Sequence, residues 1–108
     1  MIELSNQAQL DALKTEHDIL LVYFTPPSCS VGVSLFDRVS AQVQARAVSA
    51  ARVDTTAHPA IAGQHLVLAF PSILLFVYGR EFERLSRVFS MSDVERALER
   101  ALEIIEQD

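Results

Sequence analysis

The sequence predicts an α/β fold built on a central mixed sheet of four to five strands, with helices on both faces. Two apolar runs of strand length, Ile19–Phe24 and Ile73–Tyr78, show no polar alternation, as in strands that are covered on both sides. Helical patterns separate most of the predicted strands, and such connections join parallel neighbours. A tight turn at Gly79-Arg80 instead predicts an antiparallel hairpin at the end of the sheet.

Length and composition predict one domain that spans residues 1–108. Half of the residues are hydrophobic and 21% are charged, the balance of an ordinary globular protein. A formal net charge of −5 without any run of like charges argues against nucleic acid and membrane surfaces as partners. The N-terminus lacks a signal-peptide pattern and a single cysteine forms no internal disulfide, so we expect a cytoplasmic protein.

The first third of the chain predicts an edge strand, a helix and a buried strand. Ile2–Leu4 is a short edge strand, and Ser5 is the expected N-cap of a helix over Asn6–Lys14. The residues of that helix expected to point inward are Ala8, Leu10 and Leu13. The strand Ile19–Phe24 ends at Pro26-Pro27, because proline does not donate to a sheet ladder.

A second helix is expected to begin at the chain's only cysteine. Ser28 is the expected N-cap, which makes Cys29 the first helical residue. Residues at helical spacing then form its apolar face, namely Gly32, Phe36, Val39, Val43 and Ala47. Gly32 is unusual at this position, because glycine inside a helix costs about 0.8–1 kcal/mol relative to alanine.

The second half of the chain predicts a strand, a short helix and the closing hairpin. Val48–Asp54 is the strand, and the short helix through His58–Ala62 is expected to end at Gly63. Ile73–Tyr78 pairs with Glu81–Phe89, whose apolar residues do not keep a period of two and therefore indicate a β-bulge.

The last helix is expected to be capped by Ser90 or Ser92 and to run to about Glu106. Its buried stripe is formed by Val94, Ala97, Leu98, Ala101, Leu102 and Ile105. The element order is therefore (β)αβαβαββα, without internal repeats or linkers.

Cys29 is the residue best suited to chemistry. It follows a buried strand and stands in the predicted first turn of a helix, where unpaired N–H groups and the helix dipole favour a thiolate. The alternative is that Cys29 is a small buried hydrophobic residue. The strand–turn–helix context leaves both interpretations open.

Several segments together resemble the thioredoxin family along nearly the whole chain. They are, in order, Leu20–Phe24 leading into Cys29, then Val53-Asp54, Phe70–Phe76, and Gly79 at the turn. The resemblance implies the thioredoxin fold, with a cis peptide bond between Phe70 and Pro71 that faces the cysteine.

The chain departs from the family pattern at three positions. Thioredoxins carry Cys-X-X-Cys, whereas this chain has Cys29-Ser30-Val31-Gly32, with glycine in place of the second, resolving cysteine. Tyr23 stands in the place of a buried acidic residue that assists proton transfer in many members, and Ser28 where a tryptophan often precedes the first cysteine. A tyrosine does not replace a carboxylate at neutral pH.

The resemblance implies thiol–disulfide exchange and a role in redox homeostasis, with Cys29 as the catalytic residue of a monothiol route. A mixed disulfide would persist until glutathione or another external thiol releases it. The expected partners are protein thiols or disulfides, and oxidising conditions would allow a dimer linked through Cys29. The expected substrate-binding residues are Ser28, Ser30, Val31, Gly32, Phe70 and Pro71.

The alternative function is a non-catalytic module of the same fold, in which the groove between Cys29, Val31, Phe70 and Pro71 holds an extended peptide by backbone hydrogen bonds. Phe36 and Phe70 are expected either to line an apolar groove beside Cys29 or to lie in the core. Gly32 also has two interpretations. It reflects loss of the second cysteine, natural or engineered, or it allows close packing against the cis-proline loop. If only the thiol is missing, Gly32→Cys should restore dithiol reductase activity.

Other polar residues carry weaker signals. No cofactor is expected, and no metal, because His17, His58 and His65 lack metal-ligand spacing. The arginines of the predicted hairpin region are expected to form a solvated edge that discourages strand pairing, and they are Arg80, Arg84 and Arg87.

Overall fold

The computed structural model describes residues 1–108 and contains five strands and four helices. Their bounds are β1 Ile2–Glu3, α1 Gln7–Glu16, β2 Ile19–Thr25, α2 Ser30–Ala45, β3 Ser49–Asp54, α3 Pro59–Gln64, β4 Ser72–Val77, β5 Arg80–Ser86 and α4 Met91–Glu106. The sheet order is β1-β3-β2-β4-β5. The first three strands are parallel, whereas β4 runs antiparallel to both of its neighbours. The predicted mixed α/β sheet is therefore confirmed.

Both faces of the sheet are buried, which explains the unbroken apolar runs in β2 and β4. Alternate residues of β2 point to opposite sides. Leu21 and Tyr23 pack with residues of α2 and α4, while Val22 and Phe24 pack in a second cluster with residues of α1 and α3. No residue of β2 is more than 6% exposed. Such a central strand gives the residues that follow it a rigid starting point.

One end of the sheet gathers three segments of interest. Phe24 pairs with Ser72, so the C-terminal end of β2 and the start of β4 lie side by side. Ser72 also pairs with Ser86 of β5. Just beyond that pair, the Arg87 N–H donates to the Pro71 carbonyl at 2.7 Å. The turn after β2, the residues before β4 and the residues after β5 therefore share this end of the sheet.

The hairpin carries the predicted bulge, which falls between Leu75 and Phe76 of β4. Strand β5 ends at Ser86 rather than at Phe89. The reason is local, since Arg87 adopts a φ of 64° and turns the chain out of the strand. Gly79 in the connecting turn has a φ of 80°, a conformation that glycine adopts without steric cost.

Two predicted helix boundaries were wrong. Asn6, not Ser5, is the N-cap of α1, because its side chain accepts a hydrogen bond from the Gln9 N–H. Helix α1 is therefore displaced toward the C-terminus, and Ala8 is exposed instead of facing inward. Gly63 lies within α3 rather than ending it, since the helix continues to Gln64.

Helix α4 begins with a complete capping box. The Ser90 hydroxyl accepts from the Asp93 N–H at 3.1 Å, and the Asp93 carboxylate accepts from the Ser90 N–H at 2.8 Å. These bonds supply side-chain acceptors to two N–H groups at the helix start. The hydrogen bond from the Ser90 N–H, with a further contribution from the Ser90 side chain, holds the pKa of Asp93 below its usual value. The sequence predicted either Ser90 or Ser92 as the N-cap of α4, and the structure shows that it is Ser90.

We expect Ser90→Ala to lower the free energy of unfolding by about 1 kcal/mol, because the Asp93 N–H loses its side-chain acceptor and keeps only the Ser90 carbonyl. Ser92→Ala is the matched control, since Ser92 lies one position inside the helix and makes no capping bond. Urea unfolding followed by circular dichroism measures both variants. Equal losses for Ser90→Ala and Ser92→Ala would contradict the capping role.

Candidate functional site

Cys29 caps helix α2 with its sulfur. The Cys29 N–H donates to the Pro26 carbonyl at 3.1 Å and closes the turn that follows β2. The backbone of Cys29 is extended, with φ −83° and ψ 102°, and its Sγ accepts from the Gly32 N–H at 3.3 Å. The prediction that Ser28 is the N-cap and Cys29 the first helical residue was therefore wrong by one position. The sulfur takes the place that a serine oxygen takes at an ordinary N-cap.

Gly32 lies in direct contact with the end of β2. A Cβ added to Gly32 would lie 2.9 Å from the Cβ of Thr25 and closer still to its hydroxyl oxygen. Real Cβ atoms almost never approach so closely, and the Thr25 Cβ moves only with its backbone. Gly32 therefore does allow close packing, but its partner is Thr25 of β2 and not the cis-proline loop. Cysteine at position 32 would meet the same obstruction, so we now expect Gly32→Cys to need a smaller residue at position 25 as well.

The same glycine is held from its carbonyl side by Tyr23. The Tyr23 hydroxyl donates to the Gly32 carbonyl at 2.6 Å, and the tyrosine side chain is fully buried. Its ring also packs edge-on against Phe36, with centroids 6.0 Å apart. Burial, with a smaller contribution from the nearby Cys29 charge, raises the pKa of Tyr23 to about 12. Tyr23 is thus a neutral hydrogen-bond donor at physiological pH.

The Phe70–Pro71 segment lies at the same end of the sheet as the Cys29 turn. The peptide bond between these residues is cis, and Pro71 is buried. Phe70 is partly buried against the core cluster that contains Phe24. The Ser72 hydroxyl donates to the Ala69 carbonyl at 2.5 Å and closes the loop before β4.

The predicted binding residues of the Cys29 turn differ in exposure. Ser28 and Ser30 are exposed, and Val31 is 53% exposed at the start of α2. Cys29 itself is partly exposed, whereas Gly32 is buried beneath the first turn. The residues of the turn are therefore at least partly exposed, whereas Gly32 lies beneath them.

A cavity of about 240 Å³ lies beside Gly32 and was not predicted from the sequence. Its lining residues are Thr25, Pro27, Gly32, Val33, Phe36, Asp37, Arg52 and Asp54. Phe36 lines this cavity and also packs against the core. The lining includes neither Cys29 nor Phe70, so this cavity is not the groove that Phe36 and Phe70 were expected to form. The Arg52 guanidinium lies 4.9 Å from the centre of the Phe36 ring and pairs with Glu3. Arg52 is the one charged residue in the interior of the predicted strand Val48–Asp54, and no other sequence signal indicated its role.

The remaining polar candidates serve the scaffold. Arg84 pairs with Glu81 and donates to the carbonyls of His65 and Leu66, so it ties β5 to the loop after α3 instead of forming a free solvated edge. No group of three or more His, Cys, Asp or Glu residues is arranged to hold a metal ion. None of the four helices combines the length and the apolar character that a bilayer crossing requires.

Comparison with solved structures identifies the fold. A mutant thioredoxin of Halobacterium salinarum NRC-1 matches with a TM-score of 0.87 at 20% identity over 93% of this chain and 88% of its own. Fasciola hepatica thioredoxin matches with a TM-score of 0.83 at 24% identity over 92% and 98%. Thioredoxin 1 of Thermosipho africanus TCF52B matches with a TM-score of 0.77 at 26% identity over 81% and 98%.

Sequence comparisons give no closer assignment. No protein-family model matches the chain, and no curated protein matches it. The structural likenesses show that the chain has the thioredoxin fold, which confirms the fold implied by the sequence resemblance.

We expect Gly32→Ala to lower the free energy of unfolding by about 1–3 kcal/mol, because the new methyl group is forced against Thr25. Helix propensity alone predicts the opposite sign, a gain of up to about 1 kcal/mol. Gly63→Ala is the matched control in α3, where an added Cβ meets nothing within 4 Å. Urea unfolding should therefore show destabilisation by Gly32→Ala and stabilisation by Gly63→Ala.

The cause of the Gly32→Ala effect is tested by removing its partner. In a Thr25→Gly background the obstructing side chain is absent, so the cost of Gly32→Ala should shrink or reverse. The same cost in both backgrounds would show that Thr25 is not the obstruction.

The buried phenol of Tyr23 predicts a loss of stability at alkaline pH. Its pKa is 10.0 without perturbation and about 12 in the folded protein, so the neutral form stabilises the fold. That contribution is complete below pH 10 and is lost as the pH rises toward 12. In Tyr78→Phe protein only Tyr23 remains to titrate, and ultraviolet absorbance should show ionisation near pH 12 when folded and near pH 10 in urea. Ionisation near pH 10 in the folded protein would contradict the burial of the hydroxyl.

Proposed function

We propose that this protein takes part in thiol–disulfide exchange through Cys29, by a monothiol route. The proposal is carried by the position of Cys29 at the N-cap of α2. Its sulfur accepts a hydrogen bond from the Gly32 N–H, and the residue is partly exposed. A hydrogen-bond donor and the positive end of the helix dipole both favour the thiolate, which is the nucleophile in such exchange. The thioredoxin neighbours support a redox role of this general kind.

The reaction proceeds in two balanced exchanges. The Cys29 thiolate attacks one sulfur of a partner disulfide, so that a Cys29–partner disulfide forms and the other partner sulfur leaves as a thiolate. A small external thiol such as glutathione then attacks this mixed disulfide at the partner's sulfur. Cys29 leaves as a thiolate, and the partner carries the small thiol in a new disulfide. Each step makes one S–S bond and breaks one.

The external thiol is necessary because this chain has no second thiol for the release step. Cys29 is the only cysteine, and the space beside Gly32 is filled by Thr25. A resolving thiol on the same chain would benefit from a very high effective molarity, which is absent here. The mixed disulfide should therefore be long-lived until glutathione or a similar thiol is added.

The proposed partners are proteins with an accessible thiol or disulfide. Ser28, Ser30 and Val31 surround Cys29 on the exposed side of the turn, and the Phe70–Pro71 segment shares this end of the sheet. These residues, with Gly32 beneath the turn, are the proposed contact surface. We place the activity in the cytoplasm, where thiols stay reduced, and oxidation there or in vitro would link two chains through Cys29.

The second candidate function is binding without electron transfer. It is favoured by the exposed apolar side chains of Val31 and Val33, which are 53% and 57% exposed in the first turn of α2. In this case the thiol is incidental, and partners bind equally well without it. Cys29→Ser therefore separates the two functions.

We expect purified protein to form a mixed disulfide with glutathione disulfide or with a glutathionylated peptide, and to release it only after reduced glutathione is added. Mass spectrometry detects the adduct, and the rate at neutral pH should be several-fold higher for the folded protein than for the protein in urea, because only the folded chain places the sulfur at a helix terminus. Cys29→Ser should form no adduct.

A relocated thiol provides the matched control. Cys29→Ser combined with Ala41→Cys keeps one cysteine on the same helix, at an exposed position in its C-terminal half and away from the N-terminus. That thiol should react at the rate of the urea-unfolded protein. If it reacts as fast as Cys29, or if Cys29→Ser retains full partner binding with no adduct in the wild type, the exchange function is wrong and the binding function stands.

A further inference from the structure

We propose that Tyr23 is a positioning residue for Cys29, acting through Gly32, an inference that rests on the proposed exchange function. Two hydrogen bonds meet at this glycine. Its N–H donates to Cys29 Sγ at 3.3 Å, and its carbonyl accepts from the Tyr23 hydroxyl at 2.6 Å. Tyr23, which is held in the central strand, therefore helps to set the orientation of the Gly32 N–H that donates to the Cys29 sulfur.

The Tyr23 hydrogen bond matters because residue 32 is a glycine. Glycine has more backbone freedom than any other residue, so by itself it would hold the N–H direction poorly. The contact with Thr25 limits how far Gly32 moves toward β2, and the helix constrains its backbone through the bond from the Val33 N–H to the Cys29 carbonyl. The Tyr23 hydrogen bond adds a constraint on the Gly32 carbonyl from the sheet.

Tyr23 itself is held firmly enough for this role. It is fully buried in β2, pairs with Arg52 on one side and Ile73 on the other, and packs edge-on against Phe36. A rigid side chain of this kind loses little additional entropy when its hydroxyl forms a bond. The hydroxyl position is thus set by the sheet and not by the helix that it contacts.

The charge state of Tyr23 suits the same role. Burial raises its pKa to about 12, so the phenol remains a donor over the whole range in which a thiol ionises. Tyr23 therefore supports the thiolate by orienting Gly32, and it neither accepts nor delivers a proton.

Tyr23→Phe removes the hydroxyl and keeps the ring. We expect the rate of Cys29 alkylation by iodoacetamide at neutral pH to fall by about threefold or more, because a weaker N–H···S bond favours the thiolate less. The midpoint of the pH–rate profile should move to higher pH by a corresponding amount. Release of the glutathione adduct should be affected less than its formation.

Val43→Ala is the control for loss of stability. Val43 lies on the same helix and in the same core cluster, but it has no hydrogen bond to the site. It should destabilise the protein while leaving the alkylation profile of the wild type unchanged. If Tyr23→Phe and Val43→Ala show the same pH dependence of Cys29 alkylation, Tyr23 contributes only to stability and the inference is overturned.

The wild type offers a second measurement should Tyr23→Phe fail to fold. A buried, hydrogen-bonded Tyr23 hydroxyl proton exchanges slowly enough to be observed by NMR, and we expect its resonance to shift as Cys29 ionises. If the chemical shift of the Tyr23 hydroxyl proton does not change as Cys29 ionises, the inference is overturned. The exchange function fails on a different result, namely the absence of a glutathione-releasable adduct on wild-type protein.

Discussion

The contact between Gly32 and the end of β2 is the constraint on which the site depends. Thr25 leaves no room for a side chain at position 32, so the first turn of α2 lies directly on the strand. This closeness brings the Gly32 carbonyl within reach of the Tyr23 hydroxyl, and the Gly32 N–H then faces Cys29 Sγ. The close approach of Gly32 to Thr25 therefore underlies both the Tyr23–Gly32 hydrogen bond and the contact of the Gly32 N–H with the Cys29 sulfur.

The sheet topology brings the rest of the site to the same place. Because β4 runs antiparallel to β2, its first residue lies beside the last residues of β2, and the Phe70–Pro71 bond precedes it directly. The Arg87 N–H holds the Pro71 carbonyl from the β5 side. Burial on both faces keeps β2 and β4 rigid, so a short turn suffices to present Cys29 to solvent.

The sequence predicted the fold well, because its signals are long and local. Unbroken apolar runs identified β2 and β4, and the Gly79 turn identified the hairpin. The N-caps Asn6 and Cys29 were each missed by one residue. Serine is a common N-cap residue, so the sequence favoured the neighbouring Ser5 and Ser28. Only the three-dimensional contacts decide which side chain accepts the hydrogen bond from the helix N–H. The contact of Thr25 with Gly32 was also missed, because no periodicity connects a strand end with a helix turn.

The packing around Gly32 also bears on why a second cysteine is missing. If glycine had replaced cysteine by a single change, the space for that side chain should remain beside β2. Instead Thr25 occupies it, and Tyr23 bonds to the backbone that a larger residue would displace. The residues of β2 and α2 thus fit one another around a glycine at position 32. Any larger residue there, cysteine included, requires a coordinated change at position 25, because the Thr25 side chain occupies the space that a Cβ would take.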